Sequence, residues 1–373
     1  MSLGSRPSTT WFSDLFGFRE DSYRSTVDNF ELLEGDTLLR SRVNGQTFRC
    51  GAFSTPSLAE LRERALAAGP ATGEVTLSHA ATQDILEEHS KPENEGALFQ
   101  VASQFNCLEF PSPTVTPENG VTAYESDRTQ GPACSLAAPA ATVYRNYFAR
   151  IRRSDGKEQR GQTRDAQIDT SSDLSAAITA LAENDSGEQG PPDPGPGGTG
   201  GGGGGGGGSG FNGGRPPPGA LLGRVQRLHL QLPRARRDAL LGHVRVGLHS
   251  CVGPPPGPPD SGEEPVVSQA FCSAVSCAYA GPVPTGLWEP LARLVLDAAY
   301  EATLWAGVLE AAEGRGSGRV LLTKVGGGVF GNEPGWVAGA VGRAVARVRA
   351  AGVALEVVLV HHRRVDAEVE GMV

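Results

Sequence analysis

The sequence predicts an α/β fold, one domain interrupted by a long insert. Three observations predict it. The C-terminal text reads strand, helix, strand with short links, which implies parallel strands joined by a right-handed crossover. Residues 98–106 (LFQVASQFN) run apolar and then polar, as a buried strand does when its carboxyl end opens into a site. Between these parts, residues 154–218 turn polar and then Pro/Gly-rich, with unbroken glycine at 200–208. Such text cannot bury enough apolar surface to offset its ordering entropy and reads as a disordered insert.

Taken in order, residues 11–18 (WFSDLFGF) form an apolar-aromatic segment suited to docking on a body. Residues 36–43 and 46–53 read as two strands around Asn44-Gly45, the preferred type I′ turn pair. A helix is predicted over 58–68, with Leu58, Leu61 and Ala65 on one face. A short strand near Val75 and a helix over 80–89 follow. The stretch 107–129 is irregular and rich in turn chemistry. An alanine-rich helix is predicted over 131–148, and residues 174–183 within the insert are helix-prone. Arg224, Arg227, Arg234, Arg236 and Arg237 make a basic island, either a solvated face or a docking patch for an acidic partner. Strands are predicted over 243–252 and 266–274, a long amphipathic helix over 288–312, a strand over 319–325, a helix over 334–351 and a last strand over 355–361.

Composition limits the function classes. The chain has 373 residues and a net charge of −9, an acidic balance that argues against nucleic acid as the main partner. Residues 1–10 carry no apolar run, and no stretch approaches the ~20 apolar residues of a membrane helix. The expectation is an intracellular protein, cytoplasmic or nuclear, without a membrane segment. The six cysteines form no CxxC pair and no His spacing matches a zinc site, so reduced thiols and no metal are expected.

The strongest chemical signal is Gly326-Gly327-Gly328-Val329-Phe330-Gly331-Asn332, set between a strand and a helix. Glycines let the backbone turn sharply and let its N–H groups approach an anion with no Cβ in the way. The helix start near Pro334 adds unsatisfied donors and partial positive charge. Phosphate is the natural guest. The spacing also matches G-x-G-x-x-G, but only one strand follows before the chain ends, and that strand finishes in His361-His362-Arg363-Arg364. The arginines keep a NADP site as an alternative.

Two further clusters carry candidate chemistry. Gln104 and Asn106 stand two apart and so share one face of a strand, where amides can read ribose hydroxyls or an adenine edge, or else fix the adjacent loop. Thr129-Gln130-Gly131 precedes a helix, a second anion-binding start, with Asp127 and Glu125 nearby as candidate acids. On the long helix, Asp297 and Glu301 are four apart in apolar company. They form either a surface stripe or a general acid/base pair facing the cleft. Cys134, at a helix start, is either an activated thiol or a plain buried one.

Residues 299–360, from AYEATLW through TKVGGGVFGNEPGW to LEVVLV, resemble the C-terminal half of a macrodomain: helix, strand, G-[VI]-[FY]-G loop, helix, last strand. The run LFQVASQFN followed by TQGPAC is similar to that family's first ligand strand and loop. The first half also resembles the divergent MavL-type macrodomains, which are similar to poly(ADP-ribose) glycohydrolases and remove ADP-ribose from arginine. The resemblance implies a three-layer α/β/α sandwich with a mixed sheet. Residues 1–150 would form its first half with an N-terminal extension, 151–220 the insert and 221–373 its second half. It implies an ADP-ribose-binding protein acting on ADP-ribosylated protein as a hydrolase or as a non-catalytic reader, with no cofactor. Gly326, Gly327, Gly328, Val329, Phe330 and Gly331 would wrap the pyrophosphate and distal ribose, and Gln130 and Gly131 would flank the second phosphate loop. Asp297, Glu301 or Asp127 would supply the acid. The sequence departs from hydrolytic macrodomains in lacking Asn plus triple Gly after Asn106, and from glycohydrolases in lacking consecutive glutamates after Gly131.

Overall fold

A strand buried on both faces carries apolar residues at nearly every position, and this rule identifies the centre of the molecule. We describe the protein from a computed structural model covering residues 11–112, 114–153, 156–186, 233–254, 265–279 and 284–371. The glycine run, Arg224 and Arg227 lie outside the described residues. Seven strands form the main sheet: β4 (Ala52–Ser54), β5 (Val75–Thr82), β6 (Leu98–Ala102), β9 (Gly247–Val252), β10 (Val267–Cys272), β11 (Arg319–Leu322) and β12 (Leu355–His362). Their spatial order is β4-β9-β10-β6-β11-β12-β5. The run from β10 to β5 is parallel, whereas β9 pairs antiparallel with both β10 and β4. The sheet is therefore mixed, as expected.

Period-two alternation sorts the strand side chains into two cores. Leu98, Val320, Leu322, Val357 and Leu359 point to one face, where they meet α3 (Leu58–Ala67), α9 (Thr285–Ala312) and α10 (Pro334–Ala350). Phe99, Val101, Leu321, Val358 and Val360 point to the other. That face meets α1 (Trp11–Phe16), α5 (Gln130–Ala137) and α6 (Pro139–Tyr147). The result is an α/β/α sandwich. Ser57 and Glu60 close a reciprocal capping box at the start of α3, which satisfies two of its orphan donors.

The structure departs from the predicted elements at identifiable residues. The hairpin exists as β2 (Leu38–Ser41) and β3 (Thr47–Arg49), in a small sheet with β1 (Phe30–Leu33). Its loop is five residues long, with Gly45 alone in the left-handed region, whereas a type I′ turn needs two such residues. The second strand does not run on to Phe53. The chain turns at Gly51, φ +73°, where a Cβ would lie 2.3 Å from the Ser250 carbonyl oxygen, and enters the main sheet as β4. Strand β5 takes residues expected to be helical and leaves only α4 (Ile85–His89). The alanine-rich helix breaks at Ala138, φ −129° and ψ 70°, because Pro139 bars its predecessor from the helical region.

Order also extends past the expected insert boundary. β7 (Arg150–Arg152), β8 (Glu158–Arg160) and α7 (Ser172–Ser186) fold onto the body, burying Ile151, Ile168, Leu174 and Ile178. Gln162 binds the Asn106 and Arg145 carbonyls, each at 3.0 Å, so polar text is held by hydrogen bonds that composition does not reveal. After the stretch outside the description, α8 (Arg234–Gly242) returns. No described helix is long and apolar enough to cross a membrane.

The aromatic N-terminal segment docks as predicted. Phe16 is fully buried, edge-to-face with Phe12, Phe30 and Phe48. Phe16→Ala is expected to lower the unfolding free energy by about 3–4 kcal/mol, read from urea denaturation. A change below about 1 kcal/mol would mean that this segment is not part of the cooperative core.

Candidate functional site

The parallel ladder between β6 and β11 is short. It pairs Leu98 with Val320 and Phe99 with Leu321, and beyond that point the strands part toward their carboxyl ends. β6 stays with β10 through Ser103 N–H to the Cys272 carbonyl, 2.8 Å. The chain leaving β6 returns through α5 and α6 on one face, and the chain leaving β11 continues into α10 on the other. Adjacent parallel strands whose connections diverge to opposite faces leave a crevice at their carboxyl ends, the place where open α/β sheets bind ligands.

Gln130 fills the root of that gap. Its Oε1 accepts from Ala102 N–H at 2.9 Å, and its Nε2 donates to the Gln100 carbonyl at 2.8 Å. The side chain expected to flank a phosphate thus replaces the missing strand partner. Gly131 sits against the strand end, where a Cβ would lie 2.0 Å from the Ala102 carbonyl oxygen and 2.7 Å from Glu109 Oε1. The backbone N–H groups of Gln130 and Gly131 have no acceptor among the described residues and open the first turn of α5, a helix terminus suited to an anion.

Across the crevice lies the glycine turn. Gly326 and Gly331 occupy the left-handed region, φ +71° and +69°. A Cβ at Gly326 would lie 2.4 Å from that of Ala274, so residue 326 must be glycine on both counts. The turn is stapled to the loop after β10: Asn332 Nδ2 donates to the Val275 carbonyl at 2.9 Å, and Ala278 N–H donates to the Phe330 carbonyl at 3.0 Å. Buried Asn332 therefore shapes the turn rather than reaching outward. Gly327, Gly328 and Val329 are exposed. The N–H groups of Gly328, Val329 and Phe330 have no acceptor among the described residues. Tyr300 anchors the approach, donating to the Thr323 carbonyl at 2.7 Å and accepting from Val325 N–H at 3.0 Å.

The remaining predicted residues separate into two groups. Strand β6 ends at Ala102, so Gln104 and Asn106 lie in the following loop and share no strand face. Gln104 Nε2 donates to the Phe110 carbonyl at 2.8 Å, and Asn106 binds Leu108 N–H and Gln167 at 3.0 and 2.8 Å; both fix the loop. Asp127 stands at the entry to α5, its Oδ1 accepting from Thr129 N–H and Oγ1 at 2.8 and 2.7 Å. Nearby Glu125 has its carboxyl raised above the ordinary value by burial. Asp297 and Glu301 belong elsewhere. Asp297 is clamped by Arg237 of α8 and Arg343 of α10, and Glu301 pairs with Arg62 of α3 at 2.7 Å and accepts from Trp305 Nε1 at 3.2 Å. These acids tie four helices together on one face of the sheet. Burial and the nearby Glu109 carboxyl push the Cys134 thiol well above its usual range, so it is a plain buried thiol.

One residue the sequence reading missed stands at the crevice. Among the described residues Glu109 Oε1 is buried without a hydrogen-bond partner, beside Gly131 at the start of α5. Burial raises the Glu109 carboxyl well above the ordinary value, the Arg145 guanidinium pulls it down, and Asp127 pushes it up. A signal for it existed: Glu109 is the one charged residue in the apolar run FNCLEF. A buried carboxyl that holds its proton through desolvation, as Glu109 does, is the kind of group that can serve as a general acid.

No family model matches the chain, and no curated protein matches it. Among solved structures it is similar to poly(ADP-ribose) glycohydrolase from Deinococcus radiodurans in complex with ADP-ribose, at 12% identity over 86% of this chain and 92% of that one, TM-score 0.38. It is also similar to poly(ADP-ribose) glycohydrolase from Thermomonospora curvata, at 14% identity over 91% and 92% of the two chains, TM-score 0.37. Similarity of this size fixes neither a ligand nor an activity.

Two outcomes follow. Asp297→Asn should lower stability by about 3 kcal/mol, because it leaves two arginines without their charge partner, while ligand binding persists. Lost function with unchanged urea stability would return Asp297 to the site. For Glu109 the folded carboxyl holds its proton above the unfolded value, so its contribution is full below pH ~4.3 and is lost as pH rises through the folded value. The stability advantage of Glu109→Gln over the native chain should therefore grow toward alkaline pH, as read by thermal unfolding at several pH values.

Proposed function

We propose that this protein binds ADP-ribose in the crevice between β6 and β11 and hydrolyses the bond joining it to a modified protein side chain. The observation that carries this reading is the pairing of two donor-rich turns, the start of α5 and the turn over 326–332, at the carboxyl ends of adjacent parallel strands that have parted. A diphosphate bridges such turns naturally, since each offers unpaired N–H groups to phosphate oxygens. The macrodomain resemblance of both segments, quoted above, agrees with a nucleotide diphosphate carrying a second ribose.

Cleavage at the anomeric carbon builds positive charge on the ribose, so the site must fix the diphosphate, orient the sugar and deliver one proton. Glu109, whose burial favours the protonated form, donates that proton to the side-chain atom that leaves as its bond to the anomeric carbon breaks. Asp127 faces the oxocarbenium-like ribose and accepts the proton released by the water that attacks the anomeric carbon, so one proton enters with the leaving group and one leaves with the water. Arginine is the modified side chain that the resemblance favours. Because the protonated form of Glu109 is the working one, the rate falls on the alkaline side.

Calorimetric titration tests the binding. ADP-ribose should bind more tightly than NADPH, and Gly326→Ala should weaken binding at least tenfold, about 1.4 kcal/mol. Absence of binding at ~1 mM ADP-ribose, a threshold near −4 kcal/mol, would refute the reading. A release assay on ADP-ribosylated protein separates hydrolase from reader. Glu109→Gln should keep ADP-ribose affinity and lose about 100-fold or more in turnover, the scale of a lost general acid, and native protein that binds without releasing anything is a reader.

A further inference from the structure

Arg145 is fully buried, and among the described residues no carboxylate lies within ion-pair distance of it. Its guanidinium instead meets neutral groups from several elements. Nε donates to the Cys107 carbonyl at 3.2 Å, and Nη2 to Ser135 Oγ and Thr142 Oγ1 at 3.1 and 2.9 Å. Nη1 faces His249 Nδ1 at 3.3 Å, and the guanidinium carbon lies 3.8 Å from the centre of the Phe271 ring. Burial and Arg145 together push His249 well below its usual range, so its neutral ring serves as the acceptor. Burying a cation against neutral acceptors costs several kcal/mol, and a leucine or methionine would fill such space without that penalty.

The placement of these contacts gives Arg145 a role. Cys107, at φ +61° in the left-handed region, is the bend that turns the chain from β6 toward Glu109, and Arg145 grips its carbonyl. Ser135 lies on α5, whose first turn faces Glu109. We propose that Arg145 is a positioning residue: it locks the Cys107–Glu109 bend onto α5 and supplies the buried positive charge against which Glu109 takes up and releases its proton. This rests on the reading of Glu109 as the proton donor. The titratable groups around the pair are Asp127, Tyr124, Cys107, Cys134 and His249. Of these, only Asp127 carries a carboxyl, and it opposes Arg145 in its effect on Glu109.

The test is a titration of the Glu109 carboxyl by carbon NMR in glutamate-labelled protein, with the signal assigned by its loss in Glu109→Gln. Arg145→Met should raise the Glu109 midpoint by about one pH unit or more, the scale of one removed neighbouring charge, and shift the alkaline limb of turnover equally. Arg145→Lys keeps the charge but loses the planar fork. Its midpoint should stay near the native one while kcat falls about tenfold or more and KM changes less than twofold. An unchanged midpoint in folded Arg145→Met overturns the proposal. If that variant does not fold, native kcat in Arg145→Lys overturns it. The titration needs no ligand, so a failure to bind ADP-ribose removes the proposed function and leaves the Arg145–Glu109 coupling to be judged alone.

Discussion

The parting of β6 from β11 after two paired residues is the constraint on which the site depends. A strand that loses its neighbour in the middle of a sheet exposes backbone donors and acceptors where water is scarce, and these must be satisfied. Gln130 satisfies them with one amide, bonding both Ala102 N–H and the Gln100 carbonyl. That draws the start of α5 into the gap, requires glycine at 131 and sets Glu109 beside the helix terminus. Thr323 N–H, freed on the β11 side, is taken by Gln100 Oε1 at 3.2 Å. The crevice is thus held open by hydrogen bonds, not left open by poor packing.

The two faces of the sheet divide the work. On the face of α3, α8, α9 and α10, buried acids meet arginines from neighbouring helices. Asp297 and Glu301 are the centres, and Arg347 also pairs with Asp238 of α8. Such a network fixes which helix lies against which, more than it adds net stability. The opposite face holds Arg145, which among the described residues has no carboxylate at ion-pair distance, under the loop that leads to Glu109.

Much of this was legible in the sequence, for local reasons. The strand, glycine turn and helix from Arg319 to Ala350 follow from apolar run, glycine and periodicity. The buried face of α3 was named residue by residue. Other features were not legible because they depend on partners remote in the chain. Asp297 and Glu301 looked like acids in search of a function because their arginines come from residues 62, 237, 343 and 347. Gln104 and Asn106 were placed on a strand that ends at Ala102, since nothing local marks where β6 loses its neighbour. Glu109 was passed over as one charge among apolar residues.

By itself, then, the sequence determined the α/β class, the parallel C-terminal unit and the glycine turn over 326–332, because hydrophobic period and glycine freedom act over a few residues. Only the tertiary structure decided which acid belongs to the crevice. Ionisation and reach are set by desolvation and by charges that folding gathers from distant segments. Folding brings Arg145 and Asp127 to Glu109, and it brings arginines from three other helices to Asp297 and Glu301.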